Sequence, residues 1–341
     1  NASVVGSIAN VTYGENATVK INVTGVSGTD LSGNVTVTID GAIWDGAVDS
    51  DGIGEVVVSG LAAGNHTADV KYLGNNNYTE ANTTVRFNIA KANASVVGSI
   101  ANVTFGENVT VKINVTGVAG TDLSGNVTVT IDGVSWNGVV DSDGIGEVVV
   151  SGLAAGNHTA DVKYLGNNNY TEANTTVRFN IAKANASVVG SIANVTFGEN
   201  VTVKINVTGV AGTDLSGNVT VTIDGVSWNG VVDSDGIGEV VVSGLAAGNH
   251  TADVKYLGNN NYTEANTTVK VYVSKANASV VGSIANVTYG ENATVKINVT
   301  GVSGTDLSGN VTVTIDGAIW DGAVDSDGIG EVVVSGLAAG N

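Results

Sequence analysis

The chain has 341 residues, 47 of them glycine, no cysteine, proline or methionine, and a net charge of −19 spread evenly along its length. Without cysteine there is neither a disulfide nor a thiolate metal site. The acidity disfavours nucleic acid, which attracts Lys/Arg patches, no apolar run approaches the roughly 20 residues of a membrane span, and no signal peptide opens the chain.

Methionine is missing even from position 1, so the chain reads as a processed or excised stretch. The first segment, Ser3–Ile8, is a weak strand interrupted by Gly6. Val11 and Tyr13 lead into a Gly14-Glu15-Asn16 turn. Ala17, Val19, Ile21 and Val23 then alternate with Thr18, Lys20, Asn22 and Thr24, the pattern of a half-buried strand. A polar loop, Gly25–Gly33, precedes a second alternation of Val35, Val37 and Ile39 with Thr36, Thr38 and Asp40. Asp40-Gly41 is a hairpin turn signal, because Gly tolerates positive φ. Trp44 lies on the strand that follows, with Ala42 and Val48 expected on its inward side. After the Asp49–Gly52 turn come Val56–Val58 and a Gly60–Gly64 corner. His66, Ala68, Val70 and Tyr72 then take one face, and Thr67, Asp69 and Lys71 the other. A last turn, Gly74–Asn77, leads to Val85, Phe87 and Ile89 facing in, with Arg86 and Asn88 facing out. That makes seven strands, and no stretch keeps a 3.6-residue period.

The unit recurs every 92 residues: Asn1, Asn93, Asn185 and Asn277 each open NASVVGSIANVT, and residues 277–341 repeat residues 1–65 without a change. Tandem near-identity means one folding unit copied. A period of this length fits a self-contained sandwich. The fold class is therefore all-β: tandem immunoglobulin-like seven-stranded β-sandwiches in a linear array. The domains are 1–92, 93–184, 185–276 and a partial fourth over 277–341 that lacks the last two strands. A longer chain continues the fourth unit, or a neighbour supplies those strands; continuation is favoured, because the restart is perfect. The linker Lys91-Ala92-Asn93-Ala94 has no glycine or proline, so it should limit hinge motion.

The strings GNVTVTIDG and DSDGIGEVVVSGLAAGNHTADVKYLGNNNY resemble the bacterial and archaeal Ig-like ("Big") repeats of surface proteins. The matching motifs are Gly33–Gly41, Asp49–Gly52, Leu61–Thr67 and Tyr72–Tyr78. Asn and Thr richness with low pI is further similar to methanogen adhesin-like proteins. The resemblance implies an extracellular array on the cell surface.

The densest chemical signal is the N-x-[ST] sequon, a glycosylation acceptor. The first copy carries Asn1, Asn10, Asn16, Asn22, Asn34, Asn65, Asn77 and Asn82. The second carries Asn93, Asn102, Asn108, Asn114, Asn126, Asn157, Asn169 and Asn174. The third carries Asn185, Asn194, Asn200, Asn206, Asn218, Asn249, Asn261 and Asn266, and the fourth Asn277, Asn286, Asn292, Asn298 and Asn310, 29 in all. Parity with Lys20 puts Asn22 on an outward face, as parity with Arg86 does Asn82; Asn65 and Asn77 fall at turns.

Three other features read as structural. Asp49–Glu55 resembles half of a calcium loop but lacks its twelve-residue span and closing bidentate Glu, so an Asx turn is the simpler reading. Ile43 becomes Ser135 in the second copy, so that position faces out and Trp44 faces in. His66 stands at a sandwich corner with no second His in its unit. Lys20, Lys71, Arg86 and Lys91 face out or lie in the linker, against a buried Lys–Asn crosslink. No nucleophile with a paired base, phosphate loop or carboxylate pair is present. The expectation is a non-enzymatic component of an extracellular fibre or stalk, without a cofactor, whose partners are further copies of itself. The alternative is an adhesin using loops such as Gly25–Gly33 and Gly74–Tyr78 on a cell-surface or glycan target.

Overall fold

A computed structural model describes residues 1–340; Asn341, the last residue of the fourth copy, lies outside the described residues. Among the described residues there is no helix. The chain divides into two compact units, Asn1–Ala182 and Lys183–Asn341.

In the first copy, β1 (Ser3–Ile8), β3 (Ala17–Thr24) and β6 (Ile53–Val58) form an antiparallel three-stranded sheet in the order β1-β3-β6. The facing sheet has the order β2-β8-β7-β4-β5, with β2 (Val11–Thr12), β4 (Gly33–Ile39), β5 (Ala42–Val48), β7 (Gly64–Tyr72) and β8 (Ala81–Ala90). Each of the seven expected strands is present. The eighth, β2, is only two residues long and pairs parallel with β8 at Val11↔Ile89. So short a piece carries no periodicity to read. Gly6 does not break β1, which is continuous; it lies where a Cβ would come within 2.9 Å of Val85 Cγ2, so its bareness serves sheet-to-sheet packing.

Alternation builds the core as the pattern requires. Val19, Ile21, Val23 and Val58 from one sheet meet Val35, Val37, Ile39, Val70 and Tyr72 from the other, all essentially buried. Asp40 (φ 50°) and Gly41 (φ 84°) make the expected tight turn between β4 and β5, the pair of positive φ values that matches the strand twist. Trp44 is half-buried against this core. Ala42, expected beside it, is instead exposed. It sits at the turn end of β5, the outermost strand of its sheet, and its counterparts Val134 and Val226 are also more than half exposed.

The strands of Ser95–Ala182 and of Ser187–Ser274 repeat both sheets and their order. In the fourth copy the five strands between Ser279 and Val334 join into one sheet instead, through the pair Val324↔Gly330. The counterparts of β7 and β8 are not among its residues, so its inner face is only partly covered. Ala293, Val295 and Ile297 stay buried with Val311, Val313 and Trp320 packed against them, while the first strand lies open. Val280 is 65% exposed where Val4 is 6% exposed.

Candidate functional site

Two features stand out: the junction between successive copies and the outward faces carrying the sequons. The first junction lies inside Asn1–Ala182. Ala92, in the linker, forms a parallel bridge with Tyr170. Its N–H donates to the Asn169 carbonyl, and its own carbonyl accepts from Thr171 N–H, both at 3.0 Å. Lys91 Nζ donates to Asn167 O at 2.6 Å. From the preceding copy, Ala63 N–H donates to Asn169 Oδ1 at 3.0 Å. The Tyr13 ring stands edge-on to Tyr170, with centroids 5.5 Å apart. Gly14 has φ 90° and lies so close to Val118 that a Cβ would come within 2.7 Å of that side chain. Within Lys183–Asn341, Ala184 makes the same pair of bonds to Asn261 O and Thr263 N, and Lys183 Nζ reaches Asn259 O. A linker of ordinary-looking residues is thus one more strand pairing.

The loops an adhesin would use are joined to each other. Asn75 Nδ2 donates to Asp30 O at 3.1 Å and to Ser32 O at 2.9 Å. Tyr78 OH accepts from Val26 N–H at 2.8 Å and shares a bond with Thr29 Oγ1. In the second copy the same two loops press against the first copy through Val118, Asn169 and Tyr170. Val26 is 67% exposed, whereas its counterpart Val118 is half-buried beneath Gly14.

Of the 29 sequon asparagines, all are exposed except Asn169 and Asn261, which are half-buried. Asn22 and Asn82 lie on outward strand faces, as expected. Asn77 is in a turn, where its N–H donates to Asn75 Oδ1. Asn65 corrects the turn expectation: it lies within β7 and pairs with Asn88, because Gly64, at φ 144°, already opens the strand. Asn10 Oδ1 is engaged by Asn88 N–H at 2.8 Å.

Asp49 Oδ1 accepts from Asp51 N–H and Ile53 N–H, an Asx turn. Among the described residues no group of three or more His, Cys, Asp or Glu is placed to hold a metal ion. His66 contacts Asp40 Oδ2 through Nδ1 and the Ala62 carbonyl through Nε2, each at 2.8 Å. It ties the Leu61–Ala63 corner to the β4–β5 turn. The Asp40 half of that pair was not legible in the sequence, since Asp40-Gly41 reads as turn chemistry alone.

The sequence matches the family described as Bacterial Ig-like domain (group 3) over residues 4–90, 96–182 and 188–274. The chain belongs to this family of Ig-like domains. No curated protein matches it. Among solved structures, a tetra-tandem repeat from the extending region of a large adhesion protein is 16% identical, covering 97% of this chain and 90% of that one, with a TM-score of 0.54. Invasin, a bacterial integrin-binding protein, is 14% identical over 99% of this chain and 74% of its own, at a TM-score of 0.42. A bacterial ice-binding adhesin is 19% identical over 80% of this chain and 97% of that chain, at 0.32. The Ig-like repeat and the absence of a strand-length departure from it hold through all three matched copies.

Proposed function

We propose that this Ig-like array is a structural spacer, a stretch of an extracellular fibre or cell-surface stalk, rather than an enzyme or the ligand-binding tip of an adhesin. The units are 1–92, 93–184, 185–276 and a fourth begun at Asn277. One observation carries the reading: the second copy spends its 117–125 and 166–170 loops on the junction with the first. Loops used to join neighbours are not free for a target. The role of the large adhesion protein's extending region, with its tandem repeats, is in keeping with this. Near-identical copies add length without adding chemistry.

The sequons belong to the same reading. With 27 of 29 asparagines exposed, several carry glycan, which adds bulk and solubility at the surface. The other partners are further copies of the same unit, and the resemblance to bacterial and archaeal surface repeats, methanogen adhesin-like proteins among them, supports a prokaryotic cell surface as their setting.

A binding assay on the whole chain separates spacer from adhesin. A panel of glycans and cell surfaces should show no saturable binding. Saturable binding abolished by changes in residues 25–33 would establish the adhesin reading instead.

A further inference from the structure

The outward face of the three-stranded sheet carries an apolar pair around one particular sequon. The ladder sets Val5 opposite Asn22 on one side and Ile53 opposite it on the other. Val5 is 59% exposed and Ile53 50% exposed. The next row, Ser7–Lys20–Glu55, is polar throughout, and Ser3 pairs with Thr24 beyond. The arrangement recurs at Asn114, Asn206 and Asn298, where the flanking valine is 59–64% exposed and the isoleucine 50–51%. Among the other strand sequons, Asn82 faces Lys71 and Asn65 faces Asn88. Asn126 and Asn218 face Val139 and Val231, each 64% exposed, but their counterparts Asn34 and Asn310 face alanine, so a cross-strand valine and isoleucine recur in all four copies only at Asn22 and its equivalents.

We propose that Asn22, Asn114, Asn206 and Asn298 are the positions where a glycan lies down on the protein, its first sugar covering the valine and isoleucine on either side. This rests on the glycoprotein reading above and goes beyond it. Cross-strand neighbours stand roughly 5 Å apart at Cβ, so a group on Asn22 Nδ2 has both side chains within reach. A pyranose ring presents a face of C–H groups, and covering exposed apolar surface is favourable in proportion to the area removed from water. Attachment itself is ordinary transfer. Asn22 Nδ2 bonds to C1 of a sugar on a lipid-phosphate-linked oligosaccharide donor, the phosphate leaves with the bonding pair, and Nδ2 gives up one proton. Val57, opposite Thr18, is a further exposed apolar side chain on this face (54%), but it is not paired with an acceptor asparagine. The valine and isoleucine that flank an acceptor asparagine, repeated four times, thus have an occupant supplied by the chain's own sequon.

The test is to secrete the 341-residue chain from an N-glycosylating host, map its glycopeptides, and melt it beside the same chain from a non-glycosylating host. Two variants accompany it: N22Q/N114Q/N206Q/N298Q and, as control, N82Q/N174Q/N266Q. A third, V5T/V97T/V189T/V281T, removes half the apolar platform and keeps the sequons. The four sites should be occupied. Losing them should lower Tm by about 3 °C and raise binding of a hydrophobic dye, in the glycosylated chain only; the control should do neither. The valine variant should lose at least half of the Tm gained on glycosylation. Occupancy of other sequons with these four bare would overturn the inference and leave the glycoprotein reading standing, whereas no sugar anywhere would end both. Occupancy with no Tm gain, or an equal gain in the valine variant, would overturn the platform. Dimerisation of the unglycosylated chain that the valine variant abolishes would assign the face to a second copy instead.

Discussion

Tyr13 of the first copy and Tyr170 of the second meet edge to face, at an interplanar angle of 82°. The same Tyr170 backbone bridges Ala92, and its hydroxyl holds Val118 N–H at 2.8 Å. One side chain therefore closes its own domain's pole and receives its neighbour. Edge-to-face pairs contribute about 0.5–1.5 kcal/mol beyond their buried area.

Tyr13→Ala should loosen the first junction. Amide exchange at Ala92 and Thr171, whose hydrogen bonds close the bridge, should speed up roughly 2–10-fold. Tyr13→Phe should change little, because Phe105 stands at the same place in the second copy. If the Phe variant loosened the junction as much as Ala, the hydroxyl and not the ring would be the contact.

Tyr170→Phe removes the acceptor for Val118 N–H and the partner of Thr121 Oγ1. A part-buried amide left without its acceptor costs about 1–3 kcal/mol. Urea unfolding followed by exchange at second-copy core amides should show that loss, with third-copy amides unaffected. Equal loss in both copies would mean that Tyr170 acts through the whole chain.

Alkali should unfold the array. Burial, with Asp30 and Tyr78 nearby, raises the Tyr72 hydroxyl above its ordinary value of 10.0, and Tyr164 and Tyr256 behave alike. Above pH 10 the unfolded chain releases these protons while the folded chain keeps them, so the folded state binds more and stability falls as pH rises. Below pH 10 the contribution is fully present. At the acid end, hydrogen bonds from Ser32 hold the Asp30 carboxyl below its ordinary 3.8, as at Asp122, Asp214 and Asp306. Their stabilisation is present above that value and is lost as pH falls through the depressed range. Melts from pH 2 to 12 should therefore decline at both ends; a flat alkaline limb would contradict the buried tyrosines.

Asp49 Oδ1 is already committed to two backbone N–H groups. Asp49→Asn keeps an acceptor there and should be near neutral, whereas Asp49→Ala should cost about 1 kcal/mol. Adding calcium or chelator should leave Tm unmoved. A rise with calcium that Asp49→Asn removes would restore the half-loop reading.

Much of this was legible because every strand obeys one period. A side chain's parity in β3, β7 and β8 states its burial, since a one-residue slip would turn the whole apolar set outward. Parity failed at Ala42, where the edge strand leaves the cover of the other sheet, and at Asn65, where a glycine corner gave way to strand one residue earlier than a turn reading allows. The junction was hidden for a different reason. Ala92 and Asn169 are 77 positions apart, and neither has a periodic signal; only the folded register brings them together. Gly125 is similar: it reads as a loop end, yet a Cβ there would lie 2.6 Å from the buried Tyr164 ring.

Pulling the whole chain by its ends in a single-molecule force experiment tests the array most directly. Independent sandwiches of 92 residues should give three equal unfolding steps, each releasing a contour of about 30 nm. A single larger release, or steps of unequal length, would contradict the account of one unit copied in tandem.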